Sequence, residues 1–480
     1  MNHSMQSSRR SFIKGLGAAS IAVPAFSWGR VGDANGDVRV AICGVNGKGN
    51  AHLGDFAKVK GCRIVAICDP DSAVLKKRQA EQEQKGLKLE TYSDYRKMLE
   101  NKDIDAVVIA TPNHLHTMIA IAAAQAGKHV YVEKPVSHNV WEGRKLVEAS
   151  EKYDVTIQHG MQRRSDTGWH EIIEWIKDEP LGKMTCSRGL CYKPRQSIGL
   201  VGDPIAAPAS VDYNLWCGPR ETKPVKRTQF HYDWHWQFEY GNGDIGNQGP
   251  HQLDAARWVL GDPGQCPTSV LSIGGRFGYE DDADTANTQI AFFDFKPVPL
   301  IFEVRGLPRN DMNWRGGASV FKGVGVGNII EFEGGYVAEG RAFDADGNTV
   351  KKFALDGGGG HQQRFIDQVK EGKLAATHTA LQGHLSAALA HMANTSYRLG
   401  SEASSAEITE KVSGDKLAAE TFERFKEHLT VNGLDVEKIK PTLGPSLSFD
   451  PVKEVYTGSL ADEANKVATD HYREEFKITV

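Results

Sequence analysis

The chain has 480 residues, 40% hydrophobic and 25% charged, with a formal net charge of −4. That length exceeds one ordinary domain and can bury at least two cores, in the composition of a soluble globular protein. The charge leaves no footprint for a polyanion, which argues against nucleic acid as a partner, and no apolar run approaches the 18 residues of a membrane span.

The first 36 residues read as a signal and linker. Ser8-Arg9-Arg10-Ser11-Phe12-Ile13-Lys14 precedes the small, weakly apolar stretch Gly15–Phe26, and Val23-Pro24-Ala25 is a plausible cleavage site. This is the pattern of a twin-arginine export signal, so a periplasmic location is expected. Seven cysteines at 43, 62, 68, 186, 191, 217 and 266 show no paired C-x-x-C spacing. The odd count and spacing point to neither a disulfide framework nor a zinc site.

Residues 37–160 alternate strand and helix patterns. Val38–Ile42 is a short β-branched run, followed by Gly44, Gly47 and Gly49, a helix-compatible segment to about Lys60, and a second apolar run ending at Asp69. Strand, glycine turn, helix, strand and acid is the order of a dinucleotide-binding βαβ unit. Asn46 stands where the second glycine of G-x-G-x-x-G would fall, and Asn tolerates left-handed backbone angles better than most residues. Asp69 would bind the adenosine ribose hydroxyls and repel a 2′-phosphate, favouring NAD over NADP. Further strands at Ala106–Ala110, Lys128–Val132 and Val155–His159 alternate with helices, as in a parallel doubly wound sheet. Ligands of such sheets sit at the strands' carboxyl ends, where Gly44, Asp69, Thr111 and Glu133 all fall.

Residues 161–400 change texture. After a helix at Trp169–Lys177 come short strand-like runs at Ser269–Ile273, Thr288–Phe295, Leu300–Val304 and Asn328–Glu333, expected to form a mostly antiparallel open sheet. Helices resume at Gln363–Glu371 and His384–Arg398. Residues 401–480 read as a helical extension, with a helix near Lys416–Leu429, a linker at Pro441–Pro451 and a closing helix at Leu460–Phe476. The aromatics of His231–Tyr240 alternate strictly, so as a strand Tyr232, Trp234 and Trp236 would share one face and His231, Asp233 and His235 the other. That strand is either a carbohydrate-binding wall or an aromatic core strand; a metal site on its polar face is not expected.

Glu133-Lys134-Pro135, placed after the glycine turn and Thr111-Pro112-Asn113, resembles the Gfo/Idh/MocA family of glucose–fructose oxidoreductase and inositol dehydrogenase. The resemblance covers about Val38 to Arg398. It implies a Rossmann domain followed by an α/β domain, NAD as cofactor, a small carbohydrate substrate and a homodimer or homotetramer formed through the open sheet. Lys134 is carried over as the residue beside nicotinamide and substrate. Gly241–Asp254 resembles the family's D-x-x-x-H-x-x-D segment: His251 and Asp254 match, and Asn247 replaces the first acid. Lys134, His251 and Asn247 are therefore the expected catalytic set, with His251 titrating near neutral pH. Gly44, Asn46, Gly47, Gly49, Asp69, Thr111, Pro112, Asn113, His116, Glu133 and Lys134 are expected at the cofactor. Arg163, Tyr232, Trp234, His235 and Asp254 are expected at the substrate. The resemblance implies a sugar oxidoreductase or, alternatively, an NAD-dependent glycosidase working by transient oxidation; export away from a free NAD pool implies tightly bound, internally recycled NAD, and a non-catalytic nucleotide- or sugar-binding protein is the remaining alternative.

Overall fold

A computed structural model describes residues 36–372, 378–469 and 472–480. The export signal lies outside the described residues.

The first unit runs β1 (Val38–Cys43), α1 (Lys48–Phe56), β2 (Cys62–Cys68), α2 (Ser72–Glu83), β3 (Glu90–Tyr92), α3 (Tyr95–Leu99), β4 (Ala106–Ile109), α4 (Asn113–Gln125), β5 (His129–Val132), α5 (Val140–Lys152) and β6 (Ile157–His159). Its six strands are parallel, in the order β3-β2-β1-β4-β5-β6. β1 and β4 are almost wholly apolar because helices cover both sheet faces. Helix starts divide by position. Asp71, Asp94 and Asn139 cap α2, α3 and α5 with side-chain oxygens, whereas α1 and α4, which open at the carboxyl ends of β1 and β4, have no side-chain cap.

The second unit begins with a short 3-10 turn at Gln162–Ser165, then α6 (Thr167–Ile176) and β7 (Met184–Tyr192). A long excursion holds α7 (Tyr213–Cys217) and returns through α8 (Gly243–Asn247) and α9 (Gly249–Trp258). Next come β8 (Ser269–Gly275), β9 (Thr288–Phe293), β10 (Leu300–Arg305), β11 (Val326–Phe332), β12 (Gly335–Ala338), β13 (Arg341–Asp344) and β14 (Thr349–Lys352). Helices α10 (His361–Glu371) and α11 (Ala380–Arg398) follow. The pairings are antiparallel except β7 with β10. α9 and α11 pack on one face of this sheet.

The last 80 residues hold strands as well as the helices of the expected helical extension. β15 (Ser401–Glu402), β16 (Thr442–Leu443), β17 (Leu447–Asp450) and β18 (Val455–Thr457) extend the same sheet beyond β8, so the stretch expected as a linker, Pro441–Pro451, holds two short paired strands. α12 (Ser405–Val412) and α13 (Lys416–Thr430) fold over the sheet's other face: Ile408, Phe422 and Phe425 bury Ile273, Phe277 and Ile290. That face, expected to be open, is closed over β8 and β9 by the chain itself. The closing helix is only α14 (Ala461–Thr469), with a 3-10 turn at Glu474–Phe476.

His231–Tyr240 is not a strand. Asp233–Trp236 is a 3-10 turn, so alternation carries no face. Trp234 and Tyr240 instead join Trp216, Cys217 and Phe230 in a small core, with the Arg227 guanidinium 4.5 Å from the ring centroids of Trp216 and Phe230. A buried cation stacked on aromatic faces holds this turn, and the strand common to both readings, carbohydrate wall or aromatic core, does not form. This excursion is tied back onto the first unit: Asp212 N donates to Pro70 O (2.9 Å), Ser72 N to Ser210 O (2.9 Å), and His231 Nε2 lies 2.8 Å from Asp71 Oδ2.

Candidate active site

The carboxyl ends of β1, β2, β4 and β5 face the start of α9 and the 231–236 turn across a cleft of about 480 Å³. On the first unit's side it is lined by Gly44, Asn46, Gly47, Asp69, Thr111, Pro112, Asn113 and His116, then Glu133 and Lys134. Tyr232, Trp234 and His235 face them with Asn247 and His251. Gly49 lies beneath the turn, where an added Cβ would stand 1.7 Å from Gly44 O. Gly44 has φ +81°, and a Cβ there would meet Thr111 N at 2.7 Å. These two glycines let β1, α1 and β4 converge. Asn46 is not among the positive-φ residues, so the missing second glycine costs the turn nothing. Arg78, unforeseen in the sequence, holds the turn from behind through Nε to Val45 O (3.0 Å) and Nη2 to Asn46 O (3.0 Å).

These residues fit a dinucleotide. At Gly47, the start of α1, a Cβ would meet nothing within 4 Å, and no side chain caps the helix. An uncapped helix start beside open space suits a pyrophosphate. The buried Thr111 Oγ1 in the cleft wall has no hydrogen-bond partner. Asp69 stands at the end of β2, accepting from Val45 N (2.9 Å) and Asp71 N (3.0 Å). Burial pushes its carboxyl up, partly offset by those two N–H groups.

At the inner end, Lys134 Nζ donates to Asn247 O at 2.5 Å. The Lys134–Pro135 peptide bond is cis. Burial lowers the Lys134 ammonium below its ordinary value, Glu133 opposes, and Lys48, Lys193 and Arg195 lower it further. Burial also disfavours Glu133's charge, but the His52 hydrogen bond (2.9 Å) and the cations Lys48 and Lys134 hold it ionised. His116 acts on backbone rather than ligand: its ring spans Pro135 O (2.6 Å) and Thr111 O (2.8 Å). His251 corrects one expectation. Burial and the neighbouring Lys134 push its imidazole down to about 3, so it is neutral at working pH rather than titrating near 7. His235, stacked 3.7 Å from Trp234, is likewise lowered to about 3 by burial.

Two expected substrate residues lie outside the cleft lining. Asp254 is fully buried and bound by Arg164 (Nη2 to Oδ1, 2.7 Å) and Ser386 (2.7 Å). Arg163 donates to Asn328 Oδ1 at 2.5 Å. Asp244, the acid nearest to Asn247 in sequence, is clamped by Arg195 at 3.0–3.2 Å and does not line the cleft either. Sequence reasoning missed Lys48, Gln162, Trp216 and His231 in the lining. Lys48, inside the glycine turn, and His231, in the alternating aromatic segment, carried signals that could have found them.

Two models of one family match this chain. Residues 38–161 match "Oxidoreductase family, NAD-binding Rossmann fold", and residues 188–292 match its "C-terminal alpha/beta domain". Both stretches belong to the Gfo/Idh/MocA oxidoreductase family. Among curated relatives of this family, inositol 2-dehydrogenase of Salmonella paratyphi B is 29% identical over 157 residues, 32% of this chain and 46% of that protein. A glycosyl hydrolase family 109 protein of Solibacter usitatus is 32% identical over 161 residues, 32% of this chain and 36% of that protein. The chain thus spans less than half the length of these relatives. The WlbA dehydrogenase of Bordetella pertussis, solved with NADH and UDP-GlcNAcA, shares the fold: TM-score 0.53 at 20% identity over 74% of this chain and 96% of that one.

Proposed function

We propose that this Gfo/Idh/MocA protein is an exported NAD-dependent oxidoreductase acting on a sugar or sugar-like polyol, with Asp69 favouring NAD over NADP. The observation that carries the reading is the contact of Lys134 with Asn247 O beside His251, at the inner end of a cleft whose outer end suits a dinucleotide. NAD, when bound, supplies the acceptor for the hydride of a carbinol carbon. Lys134, with its ammonium destabilised by burial, is the group that as a free amine takes the hydroxyl proton at Nζ. The Asn247 carbonyl holds Nζ in place. His251, neutral, hydrogen-bonds the reacting oxygen rather than carrying its proton. Trp234 and His235 wall the site from water.

Relatives named inositol 2-dehydrogenase support simple polyol oxidation, and the glycosyl hydrolase family 109 relative supports the second reading, oxidation, elimination and re-reduction of a glycoside. The twin-arginine stretch supports export of a folded protein with its cofactor already bound. Without a periplasmic NAD pool, such an enzyme returns its cofactor to the starting redox state in each cycle. The test is to purify the exported protein without added cofactor, denature it and assay released nicotinamide nucleotide. Near-stoichiometric NAD(H) is expected. An empty protein that steadily releases NADH when given NAD and a polyol would overturn the closed cycle.

A further inference from the structure

On the sheet face opposite α9 and α11, a second cavity of about 320 Å³ lies between β7, β10 and α13. It is separate from the cleft, and its lining is rich in donors. Arg305 is 1% exposed and Nη2 donates to Glu303 (2.9 Å); Arg424 Nη2 donates to the same carboxylate (2.6 Å). Glu303 is therefore already shared between two arginines, with a third, Arg188, 3.6 Å away. Burial opposes its charge, and these arginines keep it ionised.

After that pairing, donors remain unused. Arg424 Nε is buried with no partner. His428, 4% exposed, lies with Nδ1 3.2 Å from Ser319 Oγ, while its buried Nε2 has no partner. Burial and Arg305 lower His428 to about 3, so the ring is neutral. If the Ser319 hydroxyl donates to Nδ1, the ring proton sits on Nε2, making a second orphan donor. At the rim the exposed Arg309 guanidinium makes no ion pair or side-chain hydrogen bond among the described residues. Glu427, exposed, is the acid in the lining. Buried donors without acceptors are costly, and they are relieved by a ligand that brings acceptors.

We propose that this cavity binds a tetrahedral oxyanion, carried as a phosphate or sulfate ester on a small molecule. Arg424 Nε, His428 Nε2 and Arg309 supply charge-assisted and neutral donors to its oxygens. The volume is that of a small-molecule pocket and leaves room for a sugar-sized body beyond the anion.

The test uses the full chain with saturating NAD, so that the α1 helix start is already filled. Calorimetric titration is run with inorganic phosphate, inorganic sulfate, glucose 6-phosphate and glucose 6-sulfate, against chloride at matched ionic strength. The expected result is saturable binding of at least one ester, tighter than its bare ion. Arg309→Gln, on the surface, and His428→Gln should each weaken it about tenfold, the scale of one charge-assisted hydrogen bond. Preference for one ester identifies the source of the anion. No binding beyond chloride, binding unmoved by Arg309→Gln, or binding of bare ions alone as an adventitious ion only would each overturn the proposal. Arg309→Gln keeps the test decisive even if the His428 variant does not fold.

Discussion

Asp254→Asn separates a structural from a substrate role at one residue. Arg164 is wholly buried and donates three times to Asp254, at 2.7–3.1 Å, and twice to Asp262, at 2.8 and 3.0 Å. Neutralising Asp254 leaves a buried guanidinium with one partly exposed counter-charge. Breaking a buried pair costs about 3–5 kcal/mol, and the surviving Asp262 contact puts this case at about 3 kcal/mol. For a cooperative unit of roughly 150–250 residues that is a fall in Tm of roughly 6–12 °C. The sign with pH follows from linkage. Burial disfavours the Asp254 carboxylate, yet Arg164 outweighs it and holds the folded group below the ordinary carboxylate range. Its stabilisation is therefore present above the unfolded value, about 3.9, and is lost as pH falls through the folded one. The gap between wild type and variant should be constant near neutrality and narrow only below about pH 4. Scanning calorimetry across that range is the assay. An unchanged Tm with a raised KM for substrate would refute the structural assignment and return Asp254 to the substrate.

The other expectations concern the cleft. Lys134→Met should lower turnover by about 10²–10⁴ while NAD stays bound, and full activity would remove the lysine from the mechanism. In the oxidising direction kcat/KM should rise with pH as the Lys134 ammonium, lowered below its ordinary 10.5, gives up its proton; because His251 is already neutral, His251→Ala should leave that inflection in place, and its disappearance would show that His251 titrates after all. Gly47→Ala should fold and weaken NAD by about tenfold or more, roughly 1.4 kcal/mol, whereas Gly49→Ala, with its Cβ 1.7 Å from Gly44 O, should not preserve the turn, so equal stability of the two by thermal melting would contradict the packing. Asp69→Ala should raise NADP affinity relative to NAD in a fluorescence titration, and tighter NADP binding by the wild type would sink the preference. Self-association should run through the outer face of β11 to β14, where Tyr336 and Phe343 are only partly buried, because α12 and α13 cover β8 and β9 of the same face; a monomer by light scattering at micromolar concentration would contradict it.

The first unit was legible because its signals are local and redundant. An apolar strand, a glycine turn and an acid-ended strand lie within Val38–Asp69, and near-continuous apolar runs mark strands buried on both faces. The second unit yielded less. In His231–Tyr240 the alternation was real, but Arg227 and the surrounding aromatics favour a folded-back turn over a strand, a tertiary preference that no local period records. The strands near Thr442 and Leu447 are two to four residues long and pair with β8, about 170 positions earlier, so their pattern could not stand out. The placement of Asp254 is geometric. Three residues after His251 is about 60° round the helix, enough to turn from the cleft into Arg164. The shift of His251 was equally hidden, since it arises from burial and then from Lys134, brought across from the other domain.

The measurement closest to the central claim is mass spectrometry of a panel of polyols and glycosides incubated with the NAD-supplemented protein, wild type beside Lys134→Met. The account predicts, for at least one compound, a product lighter by two hydrogens or a cleaved glycoside, formed by wild type and lost in the variant. NAD bound in the cleft with no compound altered by the wild type, or equal conversion by both proteins, would contradict it.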